Sequence, residues 1–97
     1  MILGYSIQDK VRSFIQKRIK EDKYRNIMAV MILDNDSYFD IWYFLKRDNI
    51  INIQKAINLH YELTVKFNSI GFDVMTLEYE NFDPSQYPNE IIIKREA

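Results

Sequence analysis

The sequence predicts one α+β domain, a two-layer sandwich in which a mixed four-stranded sheet carries two helices on one face, in the order α-β-β-α-β-β. Three observations predict it. Two segments repeat apolar residues at the 3.6-residue period of a helix, and two runs of β-branched and aromatic residues are separated by the short polar turn DNDS. The chain of 97 residues is also long enough for one core and too short for two; a chain of this size hides only roughly 60 to 65% of its unfolded surface.

The elements follow from local pattern. Ser6, with Asp9 behind it, has the chemistry of a helix start: a hydroxyl to cap a free N–H and an acid near the positive end of the dipole. A first helix is expected from about Ile7 to Asp22, with Ile7, Val11, Phe14, Ile15 and Ile19 on one side and Lys and Arg on most of the rest. IMAVMIL, Ile27 to Leu33, is apolar without alternation, as a strand buried on both faces must be. Tyr38 to Lys46 alternates instead, Phe39, Ile41, Tyr43 and Leu45 on one face and Tyr38, Asp40, Trp42, Phe44 and Lys46 on the other. The two runs form an antiparallel hairpin whose turn residues Asp34 and Asp36 bond local backbone N–H groups.

Asp48 or Asn49 caps a second helix, about Ile50 to Ile70, with Gly71 supplying a left-handed residue at its end. Ile53, Ala56, Ile57, Leu63, Thr64, Phe67 and Ile70 share one arc of it, and Gln54, Lys55, Asn58, Glu62, Lys66 and Ser69 lie opposite. Phe72 to Glu80 reads as a third strand, FDPSQYPN as a loop, and Glu90 to Arg95 as a short strand at a sheet edge. With both helices on one sheet face, the other face of Tyr38 to Lys46 is left as an aromatic surface.

Composition narrows the chemistry. The chain is 47% hydrophobic and 14% aromatic with 2 Gly and 2 Pro, an ordered globular composition, and its Ile, Asn and Lys content suits an AT-rich coding genome. It has no Cys and 1 His, which removes disulfides, thiolate sites and a Cys nucleophile. We expect no cofactor, no metal and no catalytic set, because neither a phosphate-cradling glycine loop nor a Ser-His-Asp arrangement is present. No segment has the pattern of a signal peptide or the ~20 apolar residues of a membrane span, so a cytoplasmic protein without membrane contact is expected. Charge is uneven: seven basic residues from Lys10 to Arg25 against Glu21 and Asp22 make that stretch +5, leaving −6 for the rest of a chain of net charge −1.

Four candidate sites emerge. The aromatic strand face, with Tyr38, Trp42 and Phe44 as anchors and Asp40 and Lys46 orienting the contact, suits a protein partner or a homo-oligomer. Asp40 stands mid-strand, where a carboxylate fits the pleat poorly. His60, on the apolar arc of the second helix, is either a core residue bonded to a carbonyl or a Tyr hydroxyl, or the charge-assisted partner of Asp40. The basic first helix, with Lys10, Arg12, Lys17, Arg18 and Lys20, could contact nucleic acid phosphates or an acidic protein, or could simply be a solvated face. The segment DVMTLEYENFD, with Tyr87 beyond it, offers an acidic surface studded with aromatics, or a plain strand edge.

An acid in a hairpin strand, Asp40, followed by a second on a later strand, Asp73, resembles the minimal nucleotidyltransferase core of the antitoxin and aminoglycoside type, over roughly Asp34 to Leu77. The resemblance implies metal-dependent phosphoryl transfer through those two carboxylates. This chain departs from the pattern where the triphosphate is held: the Gly-Ser pair is absent, and Trp42 stands where a second acid two positions after Asp40 is expected. The reading favoured by the residues as a whole is a non-catalytic interaction protein of the regulatory, immunity, inhibitor or adaptor kind.

Overall fold

The computed structural model describes residues 5–95. Helix α1 (Tyr5–Ile19) leads through a 3-10 turn at Asp22–Tyr24 into β1 (Ile27–Asp34), followed by β2 (Tyr38–Leu45), α2 (Ile50–Lys66), β3 (Gly71–Glu78) and β4 (Ile91–Lys94). The connection from β3 to β4 holds two more 3-10 turns, Tyr79–Asn81 and Pro84–Gln86. Strand order is β3-β2-β1-β4. β2 and β4 run antiparallel to β1, while β3 is parallel to β2, so the sheet is mixed as expected. The parallel pair arises because α2 carries the chain back to the end of the sheet from which β2 started.

β1 is central, and its apolar run is buried on both sides. Ile27, Val30 and Ile32 pack toward the helices, whereas Ala29 and Met31 pack on the opposite face. Ile27 and Val30 share a face although three residues apart, because a register shift between Ile27 and Ala29 inserts an extra residue opposite β2. α1 contributes Val11, Ile15 and Ile19 to the helix-side core, α2 contributes Ala56, Leu59 and Leu63, and β2 contributes Phe39, Ile41, Tyr43 and Leu45. α1 lies over β1 and β4, α2 over β2 and β3.

The opposite face is not left open along its whole length. Tyr79, Phe82 and Tyr87, from the β3–β4 connection, lie over Ala29, Met31 and Phe44 with Trp42, Leu77 and Ile92 beside them. The Phe82 ring centroid is 4.7 Å from that of Phe44, Tyr87 meets Trp42 edge-on at 5.8 Å, and Tyr79 stacks on Phe82 at 5.6 Å. The aromatics expected to stud an acidic surface are thus turned inward as a lid.

Several boundaries move for physical reasons. α1 is helical from Tyr5, the first described residue, through Ser6, so the cap expected of the Ser6 side chain lies outside what is described, and the helix ends at Ile19 rather than Asp22. Its apolar period stops there, and the 3-10 turn is what drops Tyr24 into the core. Of the two cap candidates, Asn49 serves α2, its side chain accepting from Asn52 N at 2.9 Å. α2 stops at Lys66, and Gly71 is not left-handed. Phe67 ends the helix instead, because its ring is drawn onto Phe14 and Phe72. Gly71 opens β3 opposite Tyr38, where a Cβ would come within 3.3 Å of the Tyr38 Cβ. The hairpin turn is as expected: Asp36 has φ 70°, a conformation Asp tolerates, and donates its N–H to the Asp34 carboxylate at 2.8 Å.

Arg95 ties the far end of the chain to the first helix. Its guanidinium donates to the carbonyl of Ile27 at the start of β1 at 2.9 Å, and to those of Tyr24 at 2.6 Å and Ile19, the last residues of the 3-10 turn and of α1. Arg95→Ala should cost about 2 to 3 kcal/mol in urea unfolding, since hydrogen bonds from a charged donor contribute about 1.5 to 3 kcal/mol. Arg95→Lys should recover only part, as one ammonium cannot span all three oxygens. Phe82→Ala should cost about 2 kcal/mol, below the 3 to 5 of a fully buried Phe. It should also shift the emission of Trp42 to the red as water reaches the ring.

Candidate interaction surfaces

The five residues offered as one partner surface are divided by the lid. Phe44 is 3% exposed under Phe82, so it stabilises the fold and is not available as an anchor. Trp42 is half-buried against Tyr87, and its indole N–H is enclosed without an acceptor. Tyr38 and Asp40 remain at the open end of this face, while Lys46 stands exposed beyond the end of β2.

Asp40 and Asp73 are register partners in the parallel pair, so the two carboxylates lie on one face of neighbouring strands about 4.8 Å apart. Among the described residues no group of three or more His, Asp or Glu side chains is placed to hold a metal ion.

His60 does not meet Asp40. It sits on the helix side of the sheet, where the Tyr43 hydroxyl lies 3.0 Å from Nδ1 and the Phe72 carbonyl 3.4 Å from Nε2. Asp40 alternates onto the other face with Trp42, so the sheet separates the pair. A carbonyl can only accept, so Nε2 carries the proton and Nδ1 accepts from the Tyr43 O–H. Burial lowers the His60 pKa from 6.5, with the Phe72 carbonyl and the charge of Asp73 opposing. Burial also pushes the Tyr43 hydroxyl upward.

The basic helix is divided as well. Lys10 and Lys17 line the groove between α1 and α2, but Arg12 and Lys20 lie outside it. Arg18 is already engaged, donating to Glu21 and to Glu62, which also accepts from the Tyr24 hydroxyl. Burial first and the Glu62 carboxylate second push the Tyr24 hydroxyl up to about 12. For Glu62, burial favours the protonated form, but the Tyr24 hydroxyl, Arg18 and Lys23 outweigh it and hold the carboxyl below its ordinary value.

Two further surfaces stand out: a strand edge, which the sequence offered as one alternative for DVMTLEYENFD, and a groove, which it did not reveal. β3 is an edge strand on which Asp73, Val74 and Met75 are exposed in succession, Val74 and Met75 each at 45%. α2 covers Phe72 and the lid reaches Leu77, but neither covers Asp73, Val74 and Met75 between them, and this local gap is not signalled by the apolar Val74 and Met75. The groove is the other: Lys23, Lys55 and Lys66 join Lys10 and Lys17 around it only once the helices are packed. Ile57, assigned to the core arc of α2, is instead 45% exposed, because the buried arc centres on Ala56, Leu59 and Leu63.

Comparison of the chain with protein-family models, curated proteins and solved structures returns no match.

Asp40→Asn should leave the imidazole titration of His60, followed by NMR, unchanged, because the two groups are on opposite sides of the sheet. Stability itself should depend on pH. A histidine whose pKa is lower in the fold than in the unfolded chain stabilises fully above about 6.5 and loses that contribution as pH falls below it. Urea midpoints should drop as pH falls below about 6.5 in the native chain, and His60→Gln should lack that drop. A further loss should begin below about 4.5 as Glu62 is protonated. It should be small, since exposed ion pairs contribute only about 0 to 1 kcal/mol.

Proposed function

We propose that this chain is a non-catalytic interaction protein of the cytoplasm, of the regulatory or adaptor kind, that self-associates by pairing the free edges of β3 from two copies. The observation that carries this reading is the run Asp73-Val74-Met75, exposed on both faces of an eight-residue edge strand. Natural edge strands are kept from pairing by Lys, Pro, shortness or a covering element. β4 is protected in two of these ways, being 4 residues long and carrying Lys94. β3 is less protected: it is 8 residues long, GFDVMTLE, without Lys or Pro, its charges being Asp73 and Glu78, and its middle is uncovered. An antiparallel pairing about a two-fold axis would extend the sheet through both copies and bring the open end of the outer face, Tyr38 and Asp40, up to the joint.

The remaining groups agree with binding rather than catalysis. His60 is committed to Tyr43 and Phe72, and among the described residues Asp40 and Asp73 stand as a pair of acids without a third ligand. No helix among the described residues is long and apolar enough to cross a membrane. An interface of this extent falls in the small class, under about 1,200 Å² of total buried area, where affinities are on the order of micromolar.

Sedimentation velocity of the native chain from about 1 to 200 µM should show a monomer–dimer equilibrium. Val74→Lys should abolish it with little change in Tm, because the side chain is 45% exposed in the single copy. A monomer across the whole range, or a dimer indifferent to Val74→Lys, would refute the β3 reading. The pairing of Asp40 with Asp73 favours a second reading, metal-dependent phosphoryl transfer. Melting in millimolar magnesium or manganese separates the two: interaction alone leaves the midpoint unmoved, whereas a bound metal must raise it.

A further inference from the structure

We infer that the groove between α1 and α2 is a docking site for an acidic amphipathic helix of a partner protein, on a surface separate from the β3 edge. Three cavities of about 610, 560 and 390 Å³ follow one another along it. The first and second share Phe14, Lys17 and Lys66, and the second and third share Tyr61 and Glu62, so together they form one trough. α1 and α2 run antiparallel along its sides, as the Phe14–Phe67 and Arg18–Glu62 contacts require.

Its chemistry specifies the occupant. Lys10, Lys17, Arg18, Lys23, Lys55 and Lys66 stand against Asp9 and Glu62, a balance of +4 on a chain whose net charge is −1. Cations come from both rims, so an acidic ligand would be held from two sides. Between them the surface is apolar, with Phe14 and Phe67 at one end and Tyr61 and Val65 along α2. Tyr61 and Val65 are 69% and 57% exposed and continue the line of Ile57 at intervals of four, a stripe turned away from the core and uncovered in the single copy. A cationic rim around an apolar stripe matches a helix that is apolar on one side and acidic on its flanks.

Nucleic acid fits less well. Glu62 lies where two of the cavities join, and a phosphodiester backbone passing there would bring its charge against that carboxylate; an amphipathic helix can place a neutral residue at the same point. From Lys55 to Lys66 the trough follows α2 for about 16 Å at 1.5 Å per residue, three turns of an incoming helix.

The full chain, labelled with ¹⁵N, can be titrated with a synthetic helical peptide of about five turns bearing Leu on one face and Glu on its flanks. Parallel titrations would use the same peptide with Lys for Glu, a short single-stranded DNA, and phosphatidylglycerol vesicles. The Glu peptide should shift amides of α1 and α2 around the groove. Its affinity should fall about tenfold in Lys17→Gln/Lys66→Gln, through the loss of two exposed ion pairs, and comparably in Tyr61→Ala. Val74→Lys should bind it as the native chain does, whatever becomes of self-association. Equal binding of the Lys peptide, tighter binding of DNA or vesicles, or no groove shifts with millimolar Glu peptide would each overturn the proposal.

Discussion

Both faces of β1 must be kept from water, and the rest of the architecture follows from that constraint. A strand whose Ile27, Ala29, Val30, Met31 and Ile32 are all essentially inaccessible cannot lie at a sheet edge or beneath one covering layer. It takes β2 and β4 as neighbours, two helices over one face, and aromatic side chains from the β3–β4 connection over the other. Burying one large apolar side chain contributes about 1.5 to 3 kcal/mol, so the small outer cluster of Ala29, Met31 and Phe44 is a substantial part of the stability of a chain this size. Arg95 then fastens β4 to the ends of α1 and its 3-10 turn, which links the last strand to the first helix.

Polar groups are used sparingly inside, and most of them meet in two small joints. His60 and Tyr43 satisfy one another beneath α2, and the Phe72 carbonyl takes the remaining imidazole proton. Since Tyr43 accompanies Phe39 and Ile41 on the helix face, the histidine on α2 meets an alternating strand at one of its few polar atoms. Arg18, Tyr24 and Glu62 make a comparable three-part joint between α1, its 3-10 turn and α2, nearer the solvent. Each joint couples elements far apart in sequence; the second forms part of the groove wall.

The molecule therefore presents two surfaces of different character. One is a bare strand edge whose main-chain groups would supply the hydrogen bonds and whose Val74 and Met75 would supply apolar contact. The other is a cation-rimmed trough with Tyr61 and Val65 along one side. They lie on opposite sides of α2 in the fold, one at the sheet's end and one between the helices, so a single copy has room for two contacts at once.

Local pattern carried most of the fold. The alternation of Tyr38 to Lys46, the uniform apolar run of Ile27 to Leu33, the Asp-rich turn and the helical periods are set by the geometry of each element and were legible without neighbours. The dual reading of His60 included its actual partners, a Tyr hydroxyl and a backbone carbonyl, because a lone imidazole on an apolar arc has few other ways to be satisfied. What the sequence could not decide was which element covers which face. Phe82 and Tyr87 sit in a loop without periodicity, so nothing local shows that they close over Phe44 and Trp42. Val74 looks as apolar as any core residue until the strand order places it at an edge, and Lys66 joins Lys10 and Lys17 only when two helices distant in sequence are laid side by side. Periodicity determines an element and its faces; coverage depends on long-range packing, and the surfaces most suited to binding are those that packing leaves uncovered.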